Sequence, residues 1–373
     1  MKRTSSDHET EIVSDITRWD AVAPEWDSLF ERCSHAAVPM TSTWMRTWWD
    51  VYGSTYAANG ESLRILCVRR DGELIGVLPL YLRRMIGMPG ARSLYLLSSG
   101  EAEIEETSAE YLDMLCRPED RAQCVTAVAD ALSGLAWDRI VLRLLPASSP
   151  LRELGKTTLP GEVTVVDSSV CPIADLEGGF EAYLQRLSSK TRYRMRRCLR
   201  EADSGNVAFR VADDSTRESM FEDLRMLHQQ HWEERGKPGC FSAERFVEFH
   251  RRLIRLWGSG GQALLAGVYA SDGPLAMLYG FVKHGEYHSY QAGLRRESVP
   301  GVHSPGVFAN LMLMQYLCDR GVGVFDFLGG RSHYKLQLST TQKSMVHVIV
   351  WRHGLRARLM RYVEPIRQRL GFA

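Results

Sequence analysis

One stretch, residues 286–335, constrains this chain more than any other. Its middle reads Ser304-Pro305-Gly306. A serine hydroxyl suits a helix N-cap, and proline suits the first helical position, where a missing N–H costs nothing. Apolar residues at Val307, Phe308, Leu311, Met312, Met314 and Leu317 give the helix a buried face, and Gly321 stops it. Strands are predicted on either side, over Tyr287–Leu294 and Val324–Leu328. Strand, glycine-bearing loop, helix, strand is an order that aims free backbone amides at an anion. One reading is therefore a phosphate or pyrophosphate held along Gly301–Val307. An ordinary capped helix is the other.

The chain has 373 residues, comfortable for two domains. Its formal net charge of +1 supplies no global field toward nucleic acid or membrane. Charge is uneven locally. Glu101, Glu103, Glu105, Glu106, Glu110 and Asp113 crowd one segment; Lys190, Arg192, Arg194, Arg196, Arg197 and Arg200 crowd another. The eight cysteines show no C-x-x-C and no cysteine–histidine metal spacing, which favours buried thiols in a reducing compartment. The first residues lack the apolar core of a signal peptide, and no apolar run reaches membrane-span length. A cytoplasmic protein without a membrane span is expected.

The fold class expected is α/β, with mixed sheets in two tandem domains. Residues 1–20 read as a loose N-terminus, 21–168 as a first domain, 175–352 as a second and 353–373 as a basic helix. The halves share an element order: two helices, a hairpin with an Asp-Gly turn, a strand, a helix and a last strand. The hairpins LRILCVRRDGELIGVLPLYL and LLAGVYASDGPLAMLYGFV compare directly. The helix of the first half starts at Arg117-Pro118-Glu119-Asp120, where two acids would repel a phosphate. Only the second half is therefore expected to hold one. Residues 178–203 read as one long helical stretch. Trp44, Trp48 and Trp49 read as core packing.

The order of motifs carries a resemblance. Tyr183-Leu184, Leu187-Ser188, Lys190, Arg192 and Arg196-Arg197 come first, then Leu227-His228 and Trp232. Ser304-Pro305-Gly306, Asp326-Phe327-Leu328-Gly329-Gly330 and Tyr334-Lys335 follow. Residues 175–352 thereby resemble the CelD-like acetyltransferases of the GNAT superfamily, which are associated with cellulose and exopolysaccharide clusters. The first half resembles the degenerate first domain of that family and of Fem-type transferases. The segment Pro300–Gly306 departs from the usual GNAT phosphate loop, Gln/Arg-x-x-Gly-x-Gly/Ala.

The resemblance implies acetyl-CoA or another acyl-CoA as co-substrate, without a metal. Its pyrophosphate would lie on Gly301, His303, Ser304, Pro305, Gly306 and Val307. Amides flanking the strand Tyr287–Leu294 would polarise the thioester carbonyl. Tyr334 stands where GNAT enzymes often keep a tyrosine acid, or is a packed tyrosine. Lys335 is an anion-binding cation or a surface lysine. Asp326 orients Lys335, serves as a base or caps the following turn. His228 is a general base or a structural histidine; with His231 it has no third ligand for a metal. His288 and Tyr290 share a strand face, toward either an acceptor or a packed neighbour. Lys190, Arg192 and Arg196 bind an anionic acceptor or form a solvated face.

The reading is an acyl-CoA-dependent acyltransferase acting by direct attack on a small-molecule or saccharide acceptor held between the domains, with polysaccharide-synthesis partners and no nucleic acid. The alternatives are a Fem-type enzyme using aminoacyl-tRNA and a catalytically inactive scaffold in a polysaccharide-synthesis complex.

Overall fold

The computed structural model describes residues 8–58, 62–85, 90–203, 207–295 and 304–369. The first elements in chain order are β1 (Glu9–Val13), α1 (Ile16–Glu31), α2 (Ser42–Tyr56), β2 (Leu63–Arg70), β3 (Glu73–Arg83), β4 (Ser93–Leu96) and β5 (Leu115–Cys116). Then come α3 (Arg121–Gly134), β6 (Arg139–Pro146), β7 (Gly161–Asp175), α4 (Phe180–Arg186), α5 (Ser189–Asp203), β8 (Ala208–Val211), α6 (Arg217–Glu233) and α7 (Glu244–Trp257). β9 (Ala263–Ala270), β10 (Gly273–Lys283), β11 (Glu286–Leu294), α8 (Pro305–Cys318), β12 (Val324–Asp326), α9 (His333–Leu338), β13 (Thr341–Arg352) and α10 (Leu355–Arg369) complete the chain. The chain divides into two compact units, residues 1–168 with 345–373, and residues 169–344.

The units repeat one strand plan. In the first, β1, β2, β3 and β4 pair antiparallel in that order, β4 pairs β6 in parallel, and β6 takes residues 345–351 of β13 antiparallel. In the second, β8, β9, β10 and β11 pair antiparallel, β11 pairs β12 in parallel, and β12 takes residues 173–175 of β7 antiparallel. The Asp-Gly turns place Asp71 and Gly72 at positive φ, as a tight hairpin requires.

Several expectations change. The N-terminal segment is not loose throughout: Glu9–Val13 pairs with β2, because Ile12 and Val13 gain partners there. The stretch 178–203 breaks into α4 and α5 at Leu187, whose backbone is extended. The segment 111–116 contributes only two strand residues.

The first unit is built on buried tryptophans with satisfied indoles. Trp19 stacks on Trp26 at 6.0 Å. Trp26 donates to the Met40 carbonyl, Trp44 to Ser98 Oγ and Trp48 to a Glu101 carboxylate oxygen. Tyr52 and Tyr56 hydroxyls donate to the Glu105 carbonyl and carboxylate. The segment after β4, residues 98–107, is thus fastened under α2. Burial pushes the Glu101 carboxyl up to about 7, and its second oxygen is buried without a hydrogen bond. The acids at the start of α3 are not bare, contrary to expectation. Asp120 is buried between Arg70 and Arg117.

Glu101 gives a stability test with a defined sign. Its folded pKa lies above its ordinary value, so its contribution is complete below about pH 4.5 and is lost as pH rises through about 7. Glu101→Gln keeps an acceptor but cannot ionise. Urea unfolding should show it more stable than the parent above about pH 8, by up to about 3 kcal/mol, with the gap closing below about pH 4.5.

Candidate active site

The second unit opens a gap in its own sheet. β11 has nine residues, but β12 matches only Glu286, Tyr287 and His288, through Val324, Phe325 and Asp326. Beyond Asp326 the two strands part. The next residue stays with β7, since Phe327 N–H donates to the Pro172 carbonyl at 3.0 Å. Asp326 Oδ1 then accepts from Leu328 N–H at 2.8 Å, and Leu328 turns at φ 55°. Residues 289–294 are left without a β12 partner, which forms a wedge whose apex lies at His288 and Asp326.

β11 also bulges at this apex. Gln291 faces Tyr279 and Ser289 faces Gly280, so Tyr290 is the extra residue. Gly280 permits the bulge, because a Cβ there would collide with the His288 carbonyl oxygen and the Tyr287 hydroxyl. Tyr290 is fixed from the α7 side. His250, fully buried, places Nε2 3.1 Å from the Tyr290 hydroxyl and Nδ1 3.3 Å from the Tyr279 hydroxyl. Burial brings the His250 pKa down to about 3, so the ring is neutral and donates at one nitrogen only. On the same face α6 lies close to β11. A Cβ at Gly293 would come within 2.8 Å of Leu227 Cβ and 2.9 Å of the Leu224 carbonyl.

Charge gathers at the paired end of the wedge. Ligand atoms of Glu286, His288 and Asp326 lie within 4.8 Å of one another. His288 Nε2 is 3.5 Å from the Glu286 carboxylate. Lys343 Nζ stands 3.1 Å from Glu286 and 3.9 Å from Asp326, which is fully buried. Burial works against a charge on Glu286, but His288 and the Lys343 ammonium outweigh it and bring the carboxyl down to about 2. The three ligand groups are also close enough to hold a metal ion. Lys343 is a cation already facing the same carboxylates.

Tyr334 is on the first turn of α9, half-buried, with its ring 6.2 Å from Phe327. Burial raises its pKa above the ordinary tyrosine value. Tyr287 lies near enough for its hydroxyl to be influenced by Tyr334. Lys335 Nζ donates to the carbonyls of Phe327 at 2.7 Å and Gly329 at 2.9 Å, clasping the turn that ends β12.

Ser304 does precede α8, with Pro305 in its first turn, but its side chain makes no cap hydrogen bond. Its carbonyl accepts from Phe308 N–H instead. Gly306 and Val307 are half-buried, and the Gly306 carbonyl accepts from Asn310 Nδ2 at 2.7 Å. A Cβ at Gly306 would meet the end of the Leu294 side chain at 2.9 Å. Gly301 and His303 lie outside the described residues.

The remaining sequence candidates divide. His228 is buried, its Nε2 accepts from Trp232 Nε1 at 3.0 Å, and burial lowers its pKa to about 4. Arg192 bonds to Gln185, and Arg196 forms an exposed pair with Glu181. Lys190, Arg194, Arg197 and Arg200 are exposed along α5. The structure brings His288, Tyr290 and Asp326 together and puts the α5 bases on a helix that packs against α8 through the Met195 region.

Residues 189–336 match the family model described as an acetyltransferase (GNAT) domain. This span is a GNAT-type acetyltransferase domain. No curated protein sequence matches the chain. Among solved structures, FemX is similar over 95% of this chain and all of its own, at 12% identity and a TM-score of 0.66. The C-terminal domain of a putative lysylphosphatidylglycerol synthetase from Agrobacterium fabrum is similar over 87% of this chain and 96% of its own, at 13% identity and a TM-score of 0.50. A protein of unknown function from Bacteroides thetaiotaomicron is similar over 92% of this chain and all of its own, at 9% identity and a TM-score of 0.52. At such identities the likeness is one of fold.

Sequence reasoning missed Glu286, Lys343, His250 and Gly280. Glu286 was within reach, since it shares the His288 strand face by the period of two. Lys343 is brought in from β13 and left no local signal. His250 sits on α7 between Phe246, Phe249 and Leu253, and so reads as core.

Gly280 supplies the test of the bulge. Gly280→Ala should cost about 2–3 kcal/mol in urea unfolding, because backbone must move to admit the methyl group. Gly134→Ala, in open space at the end of α3, should instead be neutral or stabilising.

Proposed function

We propose that the second unit transfers an acyl group from acyl-CoA to a nucleophilic acceptor, with the thioester at the apex of the β11–β12 wedge. The observation that carries this reading is the coincidence of three features there: the strands part, β11 bulges at Tyr290, and the Glu286–His288–Asp326–Lys343 cluster adjoins both. A wedge exposes backbone amides that an intact sheet would use. Amides at the bulge would polarise the thioester carbonyl, as the family resemblance implies. The pantetheine arm would run along residues 289–294, and the pyrophosphate would meet the start of α8 at Ser304–Val307.

The acid and base fall on the two sides of the wedge. His288, held by Glu286, is the proposed base for the acceptor, with Asp326 and Lys343 fixing the local charge. Tyr334 is the proposed acid for the departing thiolate. Its raised pKa keeps the hydroxyl protonated at neutral pH. His250 keeps Tyr290 and hence the bulge in place. Acyl transfer itself is balanced by this pair: the acceptor loses a proton toward His288, its nucleophile bonds to the carbonyl carbon, and the C–S bond breaks as the sulfur takes a proton from Tyr334. Acetyl-CoA is the simplest donor, and a small or saccharide-linked acceptor is proposed. A place in exopolysaccharide synthesis belongs to this proposal and rests on the motif resemblance.

A second reading has one observation in its favour. The exposed bases of α5 suit a polyanion, which would make the donor an aminoacyl-tRNA. Calorimetry on the full chain separates the two. Acetyl-CoA or CoA should bind, and at about a hundredfold over Kd should stabilise the protein by about 2.7 kcal/mol. Binding of charged tRNA with no response to any acyl-CoA would replace the first reading by the second. If the donor is acyl-CoA, Tyr334→Phe should lower kcat about a hundredfold while leaving CoA affinity unchanged. Gly306→Asp should remove CoA binding by placing a like charge at the helix start, whereas Gly134→Asp should not. A folded Gly306→Asp protein with parental affinity would remove this loop from the site.

A further inference from the structure

The donor site leaves one surface of the molecule unexplained. α10 packs on the first unit through Ala357 and Met360, both buried. Arg361 is paired with Glu162, and Arg356 donates to the Gly90 carbonyl and lies 3.9 Å from Asp138. These contacts hold one side of the helix. The other side carries Leu355, Leu359 and Tyr362, which are 84%, 63% and 81% exposed. Spaced by four and three, they form a single stripe along the helix. Exposed apolar residues scattered singly need no explanation, but three in line on one helix do. Arg358 borders the stripe on one flank, one turn from Tyr362, and Arg356 borders it on the other. Arg92, also exposed, lies two residues from Gly90.

We infer that α10 is a peripheral docking element for an anionic lipid surface. The stripe would enter the boundary between headgroups and acyl chains, and the flanking arginines would meet lipid phosphates. Apolar contact and basic flanks together are what an interfacial helix needs, and neither is sufficient alone. Tyrosine suits that depth, with an apolar ring and a polar hydroxyl. A second copy of this chain is disfavoured as the occupant, because it would bring Arg356 and Arg358 against their own kind. No helix among the described residues is long and apolar enough to cross a membrane, so the contact would be with the surface only. The helix is anchored in the first unit, apart from the proposed acyl-transfer residues, so loss of either inference leaves the other standing.

The experiment is co-sedimentation of the full chain with phosphatidylcholine vesicles, with and without phosphatidylglycerol. Binding is expected only when phosphatidylglycerol is present, and should fall steeply as NaCl is raised. Leu359→Asp should lower the partition at least about tenfold. Arg358→Glu, which leaves the stripe intact, should lower it about fivefold and weaken its salt dependence. Both positions are exposed, and unchanged thermal melting would confirm that both variants fold. Equal partition of Leu359→Asp and the parent would overturn the inference, as would failure of the parent to bind phosphatidylglycerol vesicles. Light scattering that shows concentration-dependent dimers lost in Leu359→Asp, without lipid binding, would assign the stripe to self-association instead.

Discussion

The second unit depends on the place where β12 stops pairing with β11. Three residues of parallel ladder hold the strands together, and Asp326 then accepts the Leu328 amide to turn the chain away. Everything assigned to the site follows from that departure. The bulge at Tyr290 comes just past it, and Gly280 is the small residue that the bulge requires. Burial of Asp326 supplies a fixed negative end, and Lys343 from a distant strand answers it. Lys335 serves the same turn from the other side by holding two of its carbonyls. An unpaired sheet interior is costly in a structural protein, because its amides and carbonyls need partners. Its retention here is the physical argument for a ligand.

The first unit shows the same plan put to another use. β4 and β6 also share only three residues of parallel pairing, Ser93 to Tyr95 with Arg139 to Val141. There, however, the segment after the strand is fastened by Trp44, Trp48, Tyr52 and Tyr56, and it buries Glu101 and Glu105. Its acids are neutralised or held protonated by burial, so electrostatic repulsion is not what separates the units. What separates them is packing: aromatic side chains fill the first unit where the second places its short ladder, bulge and charged cluster.

The sequence was informative where periodicity or turn chemistry operates locally. The paired Asp-Gly hairpins revealed the repeat, and Ser304-Pro305-Gly306 located the start of α8. It was uninformative where side chains converge from distant strands. Lys343 meets Glu286 across 57 positions, and nothing near either residue announces the meeting. The exchange of outer strands, with β13 joining β6 and residues 173–175 joining β12, is likewise a long-range pairing. The serine cap at Ser304 was a sound local inference that backbone geometry overrode, since φ −145° and ψ 73° accompany a helix start with no side-chain cap.

Hydrogen exchange on the full chain, with and without acetyl-CoA, tests the central claim most directly. Amides of residues 289–294 and of the first turn of α8 should slow on binding, while residues 97–121 of the first unit stay unchanged. Protection confined to the first unit, or none in β11 at saturating ligand, would contradict the assignment of the wedge as the donor site.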